Sequence, residues 1–548
     1  MPVASVLSPH LRRASCSALA ALGFAALLSG CAGLPANEGR VESKALQDPS
    51  ATTLATRIAA DAPTDTQARH RAGFRLLGDV ESAYGARLAL IDTAEKTIDL
   101  QYYSIHYDRS TEALLQRVRA AAARGVRVRM LIDDFNAGGE NARVLRMDEV
   151  PGIEVRLFNP VQGPRNWQPG RLFTALFDFQ RIQQRMHNKA LIADNVLAVT
   201  GGRNLGDEYF GQDSKSNFLD LDVLVAGALV RQISGTFDAY WNNPLAYPAA
   251  TLLTQQERQS LDRKRKPQPD AAPAQGGESH PADTSAAAAP AEPDSARPVP
   301  GSAGIAQDIE KGTLKLNWAP ATYVADHPEK ISGDEPDDED ETVVDGMINL
   351  IQRAKSDLLI VSPYFVPGAE MMKAFEGIRA RGVRIRVLTN SLASNDAPLA
   401  HVGYARYRKA LLALGIELYE LKAMGETERR FLGSTPQSRS SLHAKTLVMD
   451  GRLLVVGTMN LDLRSALQNT EQAIVIRSRS LSGELTPAIE QALQDSYRPA
   501  MQDGRLVWHV PASDKERAGQ VLTSEPDAST SLKLMVDIAG PFAPEEML

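Results

Sequence analysis

Hydrophobic residues along this chain switch between two periods. From Arg87 to Lys96 they recur at helical spacing, from Thr97 to Ile105 they run nearly unbroken as in a buried strand, and from Thr111 to Arg124 the helical spacing returns. Gly125 is a typical helix stop, and Val126–Ile132 is the next strand. The order repeats downstream. A helix is expected over Val343–Lys355, a strand over Asp357–Phe365, a helix over Ala369–Arg381, a stop at Gly382 and a strand over Val383–Thr389. ARGVRVRML (Ala123–Leu131) returns almost verbatim as ARGVRIRVL (Ala380–Leu388). Strands alternating with helices of this length predict an α/β fold in two homologous halves, with a mostly parallel sheet and helices on its faces.

The duplication carries chemistry. HNKALIAD (His187–Asp194) returns as HAKTLVMD (His443–Asp450), so that His, Lys and Asp keep their spacing in both copies. Each copy is followed by a Gly-x-x-Asn cluster, Gly201–Asn204 and Gly457–Asn460, and the offset between equivalent residues is 256 throughout. Alternate residues of a strand share a face, so His187 projects with Lys189 and His443 with Lys445. Pseudo-twofold packing of the halves would gather these four side chains around one phosphate. The lysines, with Asn204 and Asn460, would stabilise charge on phosphoryl oxygens, while two imidazoles divide the work of nucleophile and general acid. Asp194-Asn195 and Asp450-Gly451 close the motifs, and Asp-Gly is a hairpin signal, so turn chemistry competes with a catalytic role for Asp194 and Asp450. Each imidazole also needs a partner on its other nitrogen. Candidates are Glu471 and, in the other half, Glu208 or Asp222.

The duplicated motif resembles the signature of the phospholipase D superfamily. IDLQYYSIHYD (Ile98–Asp108), GGRNLGDEYF (Gly201–Phe210), SPYFVPG (Ser362–Gly368) and Leu442–Glu471 are similar to the bacterial cardiolipin synthase C branch, over about residues 60 to 510. The resemblance implies two phospholipase D-like β/α sandwich halves around one shared active site. It implies His187 as nucleophile forming a phosphohistidine, His443 as acid and base, and Glu471 as an imidazole partner. The residues alone leave the two histidines interchangeable. No metal or cofactor is implied.

Composition adds the setting. Net charge is −7, which opposes a nucleic-acid partner, since phosphate binding is driven by clustered Lys and Arg. Arg12 and Arg13 precede the uncharged stretch Ala14–Gly30, which ends in Leu28-Ser29-Gly30-Cys31. That pattern describes an export signal (residues 1–30) and resembles a bacterial lipobox with Cys31 acylated, placing the chain in the cell envelope on a membrane. Residues 31–60 are expected to be a flexible tether, 61–256 the first half and 342–515 the second, with 516–548 a tail. Between the halves, 257–341 is rich in Ala, Pro, Ser and acidic residues, including Asp334–Glu341, and is expected to be a disordered insertion. Arg165–Met186 has an apolar face (Leu172, Phe173, Leu176, Phe177) flanked by Arg165, Arg171, Arg181 and Arg185. It is either a core-facing or a membrane-contacting helix.

The expected function is phosphatidyl transfer onto phosphatidylglycerol from a second phosphatidylglycerol or phosphatidylethanolamine. A phospholipase D hydrolase, a nuclease and a non-catalytic lipid-binding lipoprotein are the alternatives.

Overall fold

The computed structural model describes residues 34–37, 39–64, 71–161, 179–263, 303–331, 342–423, 439–540 and 544. One sheet of fifteen strands runs through both halves. In the first half the order inward from the edge is Ala246–Pro248, Ile153–Phe158, Arg127–Asp133, Thr97–Tyr102, Ala190–Ala193, Leu197–Gly201, Asp222–Ala226 and Arg71–Leu77. From the opposite edge the second half reads Glu417–Leu421, Arg384–Asn390, Asp357–Val361, Thr446–Met449, Leu453–Gly457, Gln472–Ile476 and Asn317–Ala325. Beyond the extra edge strand Ala246–Pro248 the two sequences of strands match and meet at Arg71–Leu77 and Asn317–Ala325, the order that a pseudo-twofold arrangement requires. These two strands pair antiparallel, Ala72 opposite Ala319.

The sheet is mixed, which corrects the expectation of a mostly parallel one. Only the three outer repeat strands of each half run parallel. The motif strands Ala190–Ala193 and Thr446–Met449 turn straight back as hairpins into Leu197–Gly201 and Leu453–Gly457, and tight turns enforce antiparallel pairing. Asp194, Asn195, Asp450 and Gly451 take φ values of +51° to +59° in these turns, the left-handed region that Asn, Asp and Gly tolerate.

Helices Val80–Thr93 and Arg109–Ala123 cover one face of the first half, and Val343–Ile351 and Gly368–Ala380 the matching face of the second. On the other face, helices Ala228–Asn242 and Arg479–Gln494 join a core shared by both halves, where Ile192, Phe237, Val448, Leu454 and Ile489 are buried together. The repeated arginines are strand-flank residues. Arg129 pairs with Asp99 (2.7 Å) and Asp238 (2.8 Å), and Arg386 with Asp357 (2.9 Å) and Glu490.

Three expected boundaries shift. The tether is packed: Arg129 donates to Ser43 O (3.0 Å), Arg156 to Val41 O (2.6 Å), and Ala45 N–H to Asp238 (2.8 Å). Helix Thr53–Asp61 then buries Leu54 and Ile58. The insertion is narrower than 257–341, because helix Ala303–Lys311 buries Ile305 and Ile309 against the first half and Asn317–Ala325 is a central strand. Residues 264–302 and Asp334–Glu341 lie outside the described residues. The tail contributes strand Val521–Leu522, helix Thr530–Ala539 and Glu525, which pairs with buried Arg408 (2.7 Å). No helix among the described residues is long and apolar enough to cross a membrane. The signal and Cys31 lie outside them.

Candidate active site

Each motif histidine is delivered by a short strand that pairs with the other half. Arg185–Met186 runs parallel to Asn469–Thr470, and His187 N–H donates to Thr470 O (3.0 Å). Arg439–Leu442 runs parallel to Ser216–Leu219, and His443 N–H donates to Leu219 O (2.8 Å). The residue after each partner strand is a carboxylate, so the imidazoles meet acids from the opposite half. His187 Nδ1 lies 3.0 and 2.9 Å from the two oxygens of Glu471, and His443 Nδ1 lies 2.6 Å from Asp220 Oδ2. The site is assembled across the seam between the halves, and each motif histidine takes its carboxylate from the other half.

Glu471 stands where expected. Asp220 was missed, and the two acids proposed in its place do other work. Glu208 pairs with His106 (2.5 Å), and Asp222 with Arg87 (2.9 Å) and Arg203 (3.2 Å). The turn between Gly201 and Gly202 explains how Asp220 fits: a Cβ at Gly202 would stand 2.1 Å from Asp220 Oδ1. The equivalent position in the second half is Thr458, whose hydroxyl donates to Glu471 (2.5 Å). Ser465 donates to the other Glu471 oxygen (2.9 Å).

Lys189 Nζ donates to His187 O (2.8 Å) and Lys445 Nζ to His443 O (2.5 Å), which folds each ammonium back beside its own histidine. Asn204 is occupied, accepting from Ser104 N–H (3.2 Å) and donating to the Tyr209 hydroxyl (2.9 Å). Asn460 Oδ1 is buried without a hydrogen-bond partner among the described residues. Tyr103 stands edge-on to His187 (5.0 Å), while Tyr209 (5.3 Å) and Phe218 (4.9 Å) wall His443.

Asp194 and Asp450 do not reach this centre. Asp194 accepts from the amides of Glu95, Lys96 and Thr97 (2.7–2.9 Å), and Asp450 from those of Lys355, Ser356 and Asp357. Both tie a motif hairpin to the start of the neighbouring strand, so their expected catalytic role is replaced by a structural one. Arg185 is likewise structural, buried against Asp133 (3.4 Å) and Asn159 O (3.2 Å), and Arg181 donates to Pro160 O. Leu172, Phe173, Leu176, Phe177, Arg165 and Arg171 lie outside the described residues.

Burial sets the charges, and it sets them unequally. Burial together with Lys189 and Lys445 holds the His187 imidazole well below its ordinary value. His443 is lowered too, by burial and Lys445, with Asp220 opposing. Burial brings Lys189 down to about 7 and Lys445 to about 8. The two acids diverge. Burial pushes Glu471 up to about 7, whereas at Asp220 the nearby His443, Lys445 and Arg203 outweigh burial and hold the carboxyl down to about 2. Asp220 is therefore a firm anion at neutral pH and Glu471 is poised between forms.

Among the described residues, His106, Asp108 and Glu208 are the one group close enough to hold a metal ion. Both Asp108 oxygens already accept amides, from Thr111 (3.1 Å) and Asp207 (2.8 Å), which leaves that set poorly suited to one.

A model of the family described as cardiolipin synthase, PLD-like domain, matches residues 88–241 and 347–493, one match per half. Cardiolipin synthase C of Escherichia coli is 35% identical over 470 residues, covering 85% of this chain and 94% of its own. A cardiolipin synthase of Listeria innocua is 24% identical over 434 residues, covering 78% and 71%. The crystal structure of Haemophilus influenzae phosphatidylserine synthase superposes with a TM-score of 0.50 at 13% identity, over 78% of this chain and 87% of that one, a likeness of fold.

Proposed function

Since this chain belongs to the phospholipase D superfamily, as a phospholipid phosphatidyltransferase built from two PLD-like domains, we propose that it passes a phosphatidyl group through His187 onto phosphatidylglycerol. The donor is a second phosphatidylglycerol or phosphatidylethanolamine. His187 Nε2 attacks phosphorus, the bond from phosphorus to the headgroup oxygen breaks, and that oxygen takes a proton from His443. His443 then removes the proton from an incoming hydroxyl, whose oxygen attacks phosphorus and releases His187. The observation that carries this division of labour is the unequal pair of carboxylates. A firmly anionic Asp220 (2.6 Å) favours the imidazolium an acid needs, whereas His187, held neutral beside Glu471, keeps a free lone pair on Nε2. Lys189 and Lys445 surround the phosphoryl group and stabilise charge on its oxygens. Attachment to a membrane through Cys31 belongs to the same proposal and rests on the sequence.

Labelled phosphatidylglycerol, with and without phosphatidylethanolamine, tests the reading by its products. Cardiolipin supports transfer, and phosphatidic acid alone supports hydrolysis. A histidine-linked phosphatidyl adduct trapped in His443→Ala and absent from His187→Ala supports the assignment of nucleophile. The reverse pattern refutes it.

A further inference from the structure

The twofold relation between the two His–Lys pairs does not extend to the charges at their mouths. Beside His187, Asp133 accepts from Met186 N–H (2.9 Å) and pairs with buried Arg185. The equivalent residues beside His443 are uncharged: Asn390 Oδ1 accepts from Leu442 N–H (2.9 Å), and Ser441 stands in place of Arg185. Six residues past Asn390 the chain places Asp396, and six past Asp133 it places Gly139. The Tyr364 hydroxyl donates to exposed Asp396 (2.7 Å), as does the hydroxyl of Ser441 (3.5 Å), two residues before His443, and the Asp396 charge acts on His443, Lys445 and Tyr209.

A second pair of equivalent positions differs in the same sense. Four residues past the motif asparagines stand Glu208 at the His443 side and Arg464 at the His187 side. Glu208 is paired with His106, which neutralises it when protonated. The Arg464 charge acts on His187 and Tyr103. The His443 mouth is thus acidic, with Asp396 a carboxylate that has no ion-pair partner among the described residues, and the His187 mouth is basic.

We propose that Asp396 selects the headgroup alcohol, favouring one that carries an ammonium group over a neutral one of equal size. This rests on the reading of His443 as acid and base, because the departing and the entering alcohol both exchange their proton with that imidazole and so occupy its mouth. An ammonium there meets an exposed carboxylate already oriented by Tyr364, and a charge-assisted hydrogen bond results. Arg464 disfavours the same ammonium on the other side. A hydrogen bond of this kind corresponds to roughly ten- to hundredfold in rate.

The test sets ethanolamine against ethylene glycol as equimolar soluble acceptors, near neutral pH, with phosphatidylglycerol as donor in mixed micelles and the full-length chain. The wild type should make phosphatidylethanolamine over the ethylene glycol product by roughly tenfold or more. Asp396→Asn should bring that ratio close to one, Asp396→Glu should keep it, and high salt should weaken it. Because the readout is a ratio of products, a variant with reduced stability still reports. A wild-type ratio near one, or a ratio unchanged in Asp396→Asn, overturns the role of Asp396 and leaves phosphatidyl transfer standing. A wild type that transfers to neither alcohol and makes neither cardiolipin nor phosphatidic acid sinks the transfer reading and the role of Asp396 with it.

Discussion

Replacing Asp220 by asparagine alters one group beside His443 while conserving its shape, and the structure dictates how the amide must lie. Asp220 Oδ1 accepts from Leu221 N–H (2.8 Å), so an asparagine keeps its oxygen there and turns its NH2 toward His443 Nδ1. That nitrogen must then accept, which puts the imidazole proton on Nε2 and removes the lone pair needed to take a proton from the incoming hydroxyl. The charge-assisted bond is worth about 1.5–3 kcal/mol, or roughly ten- to hundredfold in rate, and the wrong tautomer adds to it. In serine-protease triads the same swap costs about 10⁴ in kcat. A fall in kcat of about 10³ with little change in KM is expected, within the range of about 10²–10⁴ for general acid–base catalysis. Glu471→Gln should be milder, about ten- to hundredfold. Glu471 is poised near 7, so the amide resembles a form already populated, and the Thr458 and Ser465 hydroxyls can turn to accept. Steady-state kinetics on purified variants, with thermal melts to show that each is folded, decide the matter. Retention of more than about a tenth of wild-type kcat by Asp220→Asn, below the smallest loss such catalysis predicts, refutes the argument. So does a larger loss in Glu471→Gln than in Asp220→Asn.

Other consequences are as direct. Lys189 and Lys445 are lowered to about 7 and about 8, so kcat/KM should fall as pH rises through that window and the two ammonium groups lose their protons; a profile flat well into the alkaline range contradicts it. Gly202→Ala should mimic Asp220→Asn in kcat and also lower Tm, because the added carbon would stand 2.1 Å from the carboxylate. Gly235→Ala, in the helix Ala228–Asn242 with nothing within 4 Å of the new carbon, should stabilise by up to about 1 kcal/mol. A chain starting at Asp61 loses the buried Leu54 and Ile58, at about 1.5–3 kcal/mol each, so it should melt well below one starting at Asn37; equal melts would mean that the packed segment contributes nothing.

The sequence made the two His–Lys pairs legible because they recur at one unbroken offset, and the offset also explains what it hid. Between Asn204 and Asp220 the first half carries five more residues than the second carries between Asn460 and Glu471. The acid that faces His443 therefore has no counterpart at the repeat distance. Matching the following strands by register instead, Asp222 opposite Gly201 and Ala473 opposite Gly457, places Asp220 opposite Glu471. The strand Asn317–Ala325 was hidden for another reason. It follows a polar, Pro-rich stretch and exposes alternate residues, so only its pairing with Arg71–Leu77 and Gln472–Ile476 marks it as part of the sheet. The turn role of Asp194 and Asp450 was within reach, since Asp-Gly at a strand end already named a hairpin.

That strand has a consequence for how the chain is made. During synthesis the first half emerges with Arg71–Leu77 as a bare edge, an open template for pairing with a neighbouring nascent chain. Asn317–Ala325 is the next strand in chain order among the described residues, so it can cover that edge before the rest of the second half is available. The segment reads in the finished protein as a seam between halves, yet in time it is a guard for the first. A chain stopped just before Asn317 should aggregate where one stopped just after Ala325 stays dispersed, and neither should turn over substrate, since Glu471 has yet to arrive at His187.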